Sequence, residues 1–258
     1  MMRLRIGLCL ASVFAASLAL AQGGTDKRRS GYQDMGPSLQ RMQDDGTSNP
    51  GMLFVQLGAE AWAGPAGAAN KACADCHGAS GATMKGVALR YPAIPEGADT
   101  PVDLEGRINL CRTTNQQAAP LPAESRELLA LAAFVAHQSR GQPIAPPDDP
   151  RLAPFLDRGA AIWALRQGQL NLSCATCHDD NAGKKLAGVT IPEAHPTGYP
   201  VYRLEWQTLG SLKRRLRNCL VGIRAESYAY DSMEYVMLEL FLMERARGMA
   251  FEAPAVRP

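Results

Sequence analysis

Two short stretches of this chain have residue types and a spacing that can do chemistry. They are "CADCH" (Cys73, Cys76, His77) and "CATCH" (Cys174, Cys177, His178). Both read C-x-x-C-H, the attachment pattern of c-type haem. Two thiols about one helical turn apart can form thioethers to the two vinyl groups of one porphyrin, and the adjacent histidine then ligates the iron. A zinc site or a thioredoxin-like redox pair needs no histidine at that place, and the second expects a strand-helix context that is missing. Two copies in one chain predict two covalently bound haem c groups.

An iron held by one histidine has a second face, and its occupant separates electron transfer from catalysis. Each copy contains one further cysteine, Cys111 in "RINLCRT" and Cys219 in "RLRNCLV". Cys111 follows His77 at a somewhat shorter interval than Cys219 follows His178, a difference that an insertion near "EAHPTGYPVY" explains. Equivalent placement makes both candidate sixth ligands, so the irons are read as His77/Cys111 and His178/Cys219. Three alternatives stand beside this: a Cys111–Cys219 disulfide, methionine ligation (Met84 or Met233), and histidine ligation (His137 or His195). Met84 is too close to His77 to reach around a porphyrin.

The compartment decides what cysteines can do, and these groups need elements to hold them. Arg3 and Arg5 precede an uncharged run from Ile6 to Leu20 that ends in Ala19-Leu20-Ala21, the plan of a secretory signal peptide over residues 1–21. The mature chain then begins at Gln22 in the periplasm. Cys9, inside the apolar run, has no assigned role. The run is shorter than the ~20 residues of a spanning helix, and no membrane span is expected in the mature form. Removing Arg3 and Arg5 brings the 27 Lys+Arg to 25, level with the 25 Asp+Glu, so no nucleic-acid partner is implied.

An internal duplication organises the rest. His77 and His178 are separated by the length of one small domain, and "KGVALRYP" (Lys85 to Pro92) is matched with "AGVTIPEAHP" (Ala187 to Pro196). Each copy opens with an apolar helix before its C-x-x-C-H and closes with another. In the last helix Met233, Val236, Met237, Leu240 and Phe241 form one apolar face, with Asp231 and Glu234 spaced as a capping box and Gly248 as the stop. The expected fold is mainly α: two tandem cytochrome c-like domains, residues 51–145 and 146–258, after a polar arm at 22–50. The proline-rich "GQPIAPPDDP" links them.

The combination of two C-x-x-C-H copies, one extra cysteine in each, and Arg215 four residues before Cys219 resembles the SoxA family, haem subunits of the SoxAX cytochromes of bacterial sulfur oxidation. The resemblance covers most of the mature chain and points to the dihaem form. It implies an L-cysteine S-thiosulfotransferase that oxidatively couples thiosulfate to a cysteine of a SoxYZ-like carrier. Electrons would pass to a SoxX-like monohaem subunit and on to a soluble cytochrome c. It also implies that the second haem is the active one, with Cys219 as its thiolate or persulfide.

The residues themselves agree. "LKRRLRNCLVGIR" places Cys219 among Lys213, Arg214, Arg215, Arg217 and Arg224. Arginines hold a dianion and favour a thiolate. On a helix Arg215 shares a face with Cys219 and is the expected substrate contact, whereas Lys213, Arg214 and Arg217 are read as surface charges. Arg224 and Arg245 are weaker candidates. The reading from another class is a dihaem electron carrier without sulfur chemistry. A dihaem peroxidase would need a displaceable iron position.

Overall fold

The computed structural model describes residues 26–258, so the signal segment, Cys9 and Gln22 lie outside the described residues. After α1 (Pro37–Asp44), four helices recur in the same order in each half. The first half has α2 (Gly51–Ala63), α3 (Cys73–His77), α4 (Leu104–Cys111) and α5 (Arg126–His137). The second has α6 (Ala153–Ala164), α7 (Cys174–His178), α8 (Leu212–Gly222) and α9 (Met233–Arg245). The two C-x-x-C-H segments are α3 and α7; the two extra cysteines lie on α4 and α8.

Each half is held by one close helix crossing, α2 on α5 and α6 on α9. A Cβ on Gly58 would stand 2.1 Å from the Ala130 carbonyl oxygen, and one on Gly159 2.2 Å from that of Met237. The backbones therefore touch, and only glycine fits at either point. Rings pack beside both crossings, Trp62 on Phe134 with centroids 5.3 Å apart and Trp163 on Phe241 at 5.8 Å. Leu128 to Ala136 of α5 are all buried, so this helix is apolar all round. The first turns are capped from the sequence: Asp103 accepts from Gly106 N at 2.7 Å, and Ser211 from Arg214 N at 3.1 Å. The Asp231/Glu234 box does not form, because Ser232 is the N-cap of α9 and Asp231 falls outside the helix.

The second half adds strands. A hairpin of β1 (Lys185–Leu186) and β2 (Val189–Thr190) has no counterpart in the first half. A three-stranded sheet has β3 (Val201–Arg203) at its centre, antiparallel to β4 (Thr208–Gly210) and parallel to β5 (Ala255–Arg257). Because β4 ends one residue before the Ser211 cap, this sheet sets the direction in which α8 leaves. The hairpin also corrects the alignment of the copies. Tyr91-Pro92 and Tyr199-Pro200 are both cis. Tyr91 precedes Arg107 at the same interval as Tyr199 precedes Arg215, and each arginine stands one helical turn before the extra cysteine of its half. The copies therefore match Tyr-Pro to Tyr-Pro, with the insertion before Tyr199, rather than Pro92 to Pro196.

Residues 26–50 are not a free arm. Gln43 is buried and accepts from Val256 N at 3.1 Å, Asn49 donates to Pro254 O at 3.0 Å, and Arg28 donates to Arg245 O at 2.7 Å. Its polar side chains satisfy backbone groups of the second half, which polarity alone could not reveal. The linker is fastened likewise: Gly141 N donates to Phe251 O at 2.8 Å and Ile144 N to Met249 O at 2.9 Å. Ala88, Ala136, Ile144, Met243 and Phe251 then form a buried cluster that joins the halves.

Candidate functional site

In α7 the side chain of Ser173 accepts from Thr176 N at 3.1 Å, which starts a single turn presenting Cys174, Cys177 and His178. The imidazole is fixed on two sides. Its Nδ1 lies 2.7 Å from Pro192 O, and since a carbonyl can only accept, Nδ1 carries the proton and Nε2 is left with a free lone pair. Trp163 stacks beside it with centroids 5.8 Å apart. Burial pushes the His178 pKa down against the Pro192 carbonyl, which raises it, so the ring is neutral, the form that binds iron. Behind it Trp163 Nε1 donates to Asp179 at 2.7 Å, Arg245 donates to the other Asp179 oxygen at 2.7 Å, and Arg245 also lies over the Trp163 ring at 4.7 Å.

Cys219 comes to this group from α8. Burial pushes the Cys174 thiol up to about 11, with the charge of Cys219 as the next cause, and burial and Cys219 raise Cys177 in the same order. The first half repeats the arrangement. Cys73 is raised by burial, lowered by Arg112 and raised by Cys111, while Trp62 stacks on His77 with centroids 5.6 Å apart. Each extra cysteine thus lies near the paired thiols of its own half. All six described cysteines are unpaired, so Cys111 and Cys219 form no disulfide. His195 is occupied by Arg29 O at 2.9 Å, and Met84 packs in the first core.

The donor set fits a haem c in each half: two thiols one turn apart, a following histidine, and a further sulfur nearby. In the second half Cys174 and Cys177 would hold the porphyrin, with His178 and Cys219 towards the iron; in the first, Cys73, Cys76, His77 and Cys111 have the same parts.

The arginines separate into distinct environments. Arg215 is half-buried, and its guanidinium has no hydrogen bond or ion pair among the described residues. Burial lowers its pKa, but Cys219 and then Tyr199 raise it, and the balance is upward. Arg214 turns away to stack on Trp206 at 4.3 Å, and Arg217 donates to Tyr228 O and lies over Tyr230 at 4.6 Å. Arg224 is exposed. Lys213 departs from its expected place on the surface: it is buried and paired with Asp103 of the first half. Charge runs on an amphipathic helix look solvated in sequence because the partner is remote in the chain.

Two tyrosines and one arginine belong with the site although sequence reasoning passed over them. Burial raises Tyr199, while Arg215 and Arg203 act to lower it; Tyr91 is raised by burial and lowered by Arg107. Tyr91, Arg107 and Cys111 thus correspond to Tyr199, Arg215 and Cys219. The equal spacing of the two triplets was the available signal.

Repeated helices, repeated C-x-x-C-H turns and one thiol near each define a tandem cytochrome of the c type. A family model described as SoxA/TsdA, cytochrome c domain matches residues 57–144 and 158–251. The chain is 34% identical over 233 residues to the L-cysteine S-thiosulfotransferase subunit SoxA of Pseudaminobacter salicylatoxidans, covering 90% of this chain and 82% of that one. It is also 34% identical over 232 residues to the SoxA of Rhodovulum sulfidophilum, covering 90% and 81%. A chain of the SoxXA crystal structure from P. pantotrophus superposes with a TM-score of 0.86 at 28% identity, covering 90% of this chain and 87% of that chain. The chain belongs to the SoxA/TsdA cytochrome c family.

Proposed function

We propose that this chain is the catalytic dihaem subunit of a haem-dependent L-cysteine S-thiosulfotransferase, with Cys219 as its reactive sulfur and Arg215 as its substrate contact. The relatives carry that activity in their names, and the solved SoxXA supports a SoxX-like monohaem partner. The observation that carries the site assignment is an unpaired, half-buried guanidinium one turn before a cysteine that lies near a C-x-x-C-H.

The reaction joins the outer sulfur of thiosulfate to a carrier cysteine: RSH + S2O3²⁻ gives RS–S2O3⁻, one proton and two electrons. Arg215 holds the sulfonate end of the dianion by charge and fork geometry. Cys219, on the same face of α8, then stands beside the outer sulfur, where a nucleophilic sulfur is required. Bound haem c supplies a one-electron acceptor. A SoxYZ-like protein provides the carrier thiol, and a soluble cytochrome c takes the electrons onward from the partner. No described helix is long and apolar enough to cross a membrane, and the leader-like residues 1–21 support a periplasmic site of action.

The test is reconstitution of the holoprotein with its SoxX-like partner, thiosulfate, a thiol-bearing SoxYZ-like carrier and an oxidised cytochrome c. The expected result is thiosulfate-dependent mass gain on the carrier cysteine with reduction of the acceptor. Reduction of the acceptor by other donors, with no sulfur transfer to the carrier, would favour the electron carrier instead.

A further inference from the structure

The first turns of α4 and α8 meet across the junction of the two halves. Their N-caps, Asp103 and Ser211, are equivalent in the duplication, since they follow Tyr91 and Tyr199 at the same interval. Each does two things. Asp103 Oδ1 caps α4 through Gly106 N at 2.7 Å, and its Oδ2 pairs with Lys213. Ser211 Oγ caps α8 and donates to Glu124 of the first half, which also accepts from Ser211 N at 3.4 Å and lies 4.0 Å from Arg214. A cavity of about 50 Å³ lies at this junction and is lined in matched pairs, Tyr91 with Tyr199 and Glu105 with Lys213.

Lys213 is the informative member. A helix N-terminus carries partial positive charge and favours acids in its first turn, so a lysine there works against its own helix. It is also only 7% exposed, which leaves water little part in solvating it. Its charge is answered from outside α8, by Asp103 of the first half. Such a residue does not serve the stability of α8 as an isolated helix. It fixes where α8 stands. Cys219 is six residues further along, about 9 Å at 1.5 Å per residue, so a tilt of the first turn is carried to the sulfur.

We infer that the first half positions the reactive sulfur: Asp103, acting through Lys213, and Glu124, acting through Ser211, hold the first turn of α8 and so fix Cys219 against the Cys174–His178 turn. The inference rests on the assignment of Cys219 proposed above. Lys213 and Asp103 are positioning residues and touch no reacting atom. It also gives the first half a part in the reaction that needs no substrate there. Misplacement by about 1 Å can cost a hundredfold in rate.

The test is Lys213→Met in the holoprotein with its partner. Asp103 still caps α4 in that variant, because Oδ1 makes the cap and only Oδ2 faces the lysine. Arg215 and Cys219 move together on α8, so KM for thiosulfate should stay within about twofold while kcat falls tenfold or more. The low-spin electron paramagnetic resonance signal of the second iron should shift and that of the first should not. Asp103→Asn, which keeps the cap because asparagine caps as well as aspartate, should do the same and serves where Lys213→Met does not fold. Unchanged kcat and unchanged spectra, or equal change at both irons, would overturn the inference. Cys219→Ala is measured alongside: if it is inactive and Lys213→Met is normal, positioning fails alone, whereas full activity of Cys219→Ala would remove the proposed function itself.

Discussion

Arg215 stands one helical turn before Cys219, and its guanidinium has no ion-pair partner among the described residues, while Arg214 beside it is stacked on Trp206. A half-buried cation left unanswered by the protein is a place for an anion. Arg215→Met should therefore lower kcat/KM for thiosulfate by about tenfold to a hundredfold, the range of one charge-assisted hydrogen bond. Arg214→Met should change it by less than about threefold. Steady-state kinetics on the two variants decide this, and equal effects would place the substrate on another face of α8.

The two glycine crossings should not accept even a methyl group without backbone movement. Gly159→Ala drives a methyl into the Met237 carbonyl and Gly58→Ala into that of Ala130. Backbone must move in both, at a cost of about 1–3 kcal/mol. Thermal unfolding of each holoprotein variant should show a lower midpoint than Gly36→Ala, where nothing lies within 4 Å of the added carbon.

Stability should also depend on pH through Glu105. Burial first, and then Asp103, raise its pKa from 4.5 to about 8, against the lowering by Lys213; Glu239 is raised in the same direction. Between these values the folded protein holds a proton that the unfolded chain has lost, so stability falls as pH rises from about 4.5 to about 8. Denaturant unfolding across that range should show the fall, and Glu105→Gln should flatten it. A slope unaltered by the substitution would mean that other groups carry the dependence.

The cofactor count can be read by mass. The paired variants Cys73→Ala/Cys76→Ala and Cys174→Ala/Cys177→Ala should each retain one covalent haem, against two in the parent protein, when made with haem-attachment machinery. Intact-protein mass spectrometry gives the answer directly.

Much of this molecule is legible in its sequence because covalent haem attachment demands a contiguous motif. The C-x-x-C-H turns, the duplication, the extra cysteine in each half and Arg215 all follow from spacing. What escapes is whatever depends on partners far apart in the chain. Lys213 looks like surface charge because Asp103 belongs to the other half, and residues 26–50 look like an arm because their polar groups bind backbone near the C-terminus. Tyr91 and Tyr199 are recoverable, yet matching the copies through Pro92 and Pro196 hides them until the β1–β2 hairpin shows where the insertion lies.

The central claim is that the Cys219 sulfur carries the chemistry. The measurement that tests it most directly is thiosulfate-dependent sulfur transfer to the carrier thiol by Cys219→Ala holoprotein, with haem content checked on the same sample. Both haems attached and transfer abolished is the predicted result. Both haems attached with transfer at the parent rate would contradict it.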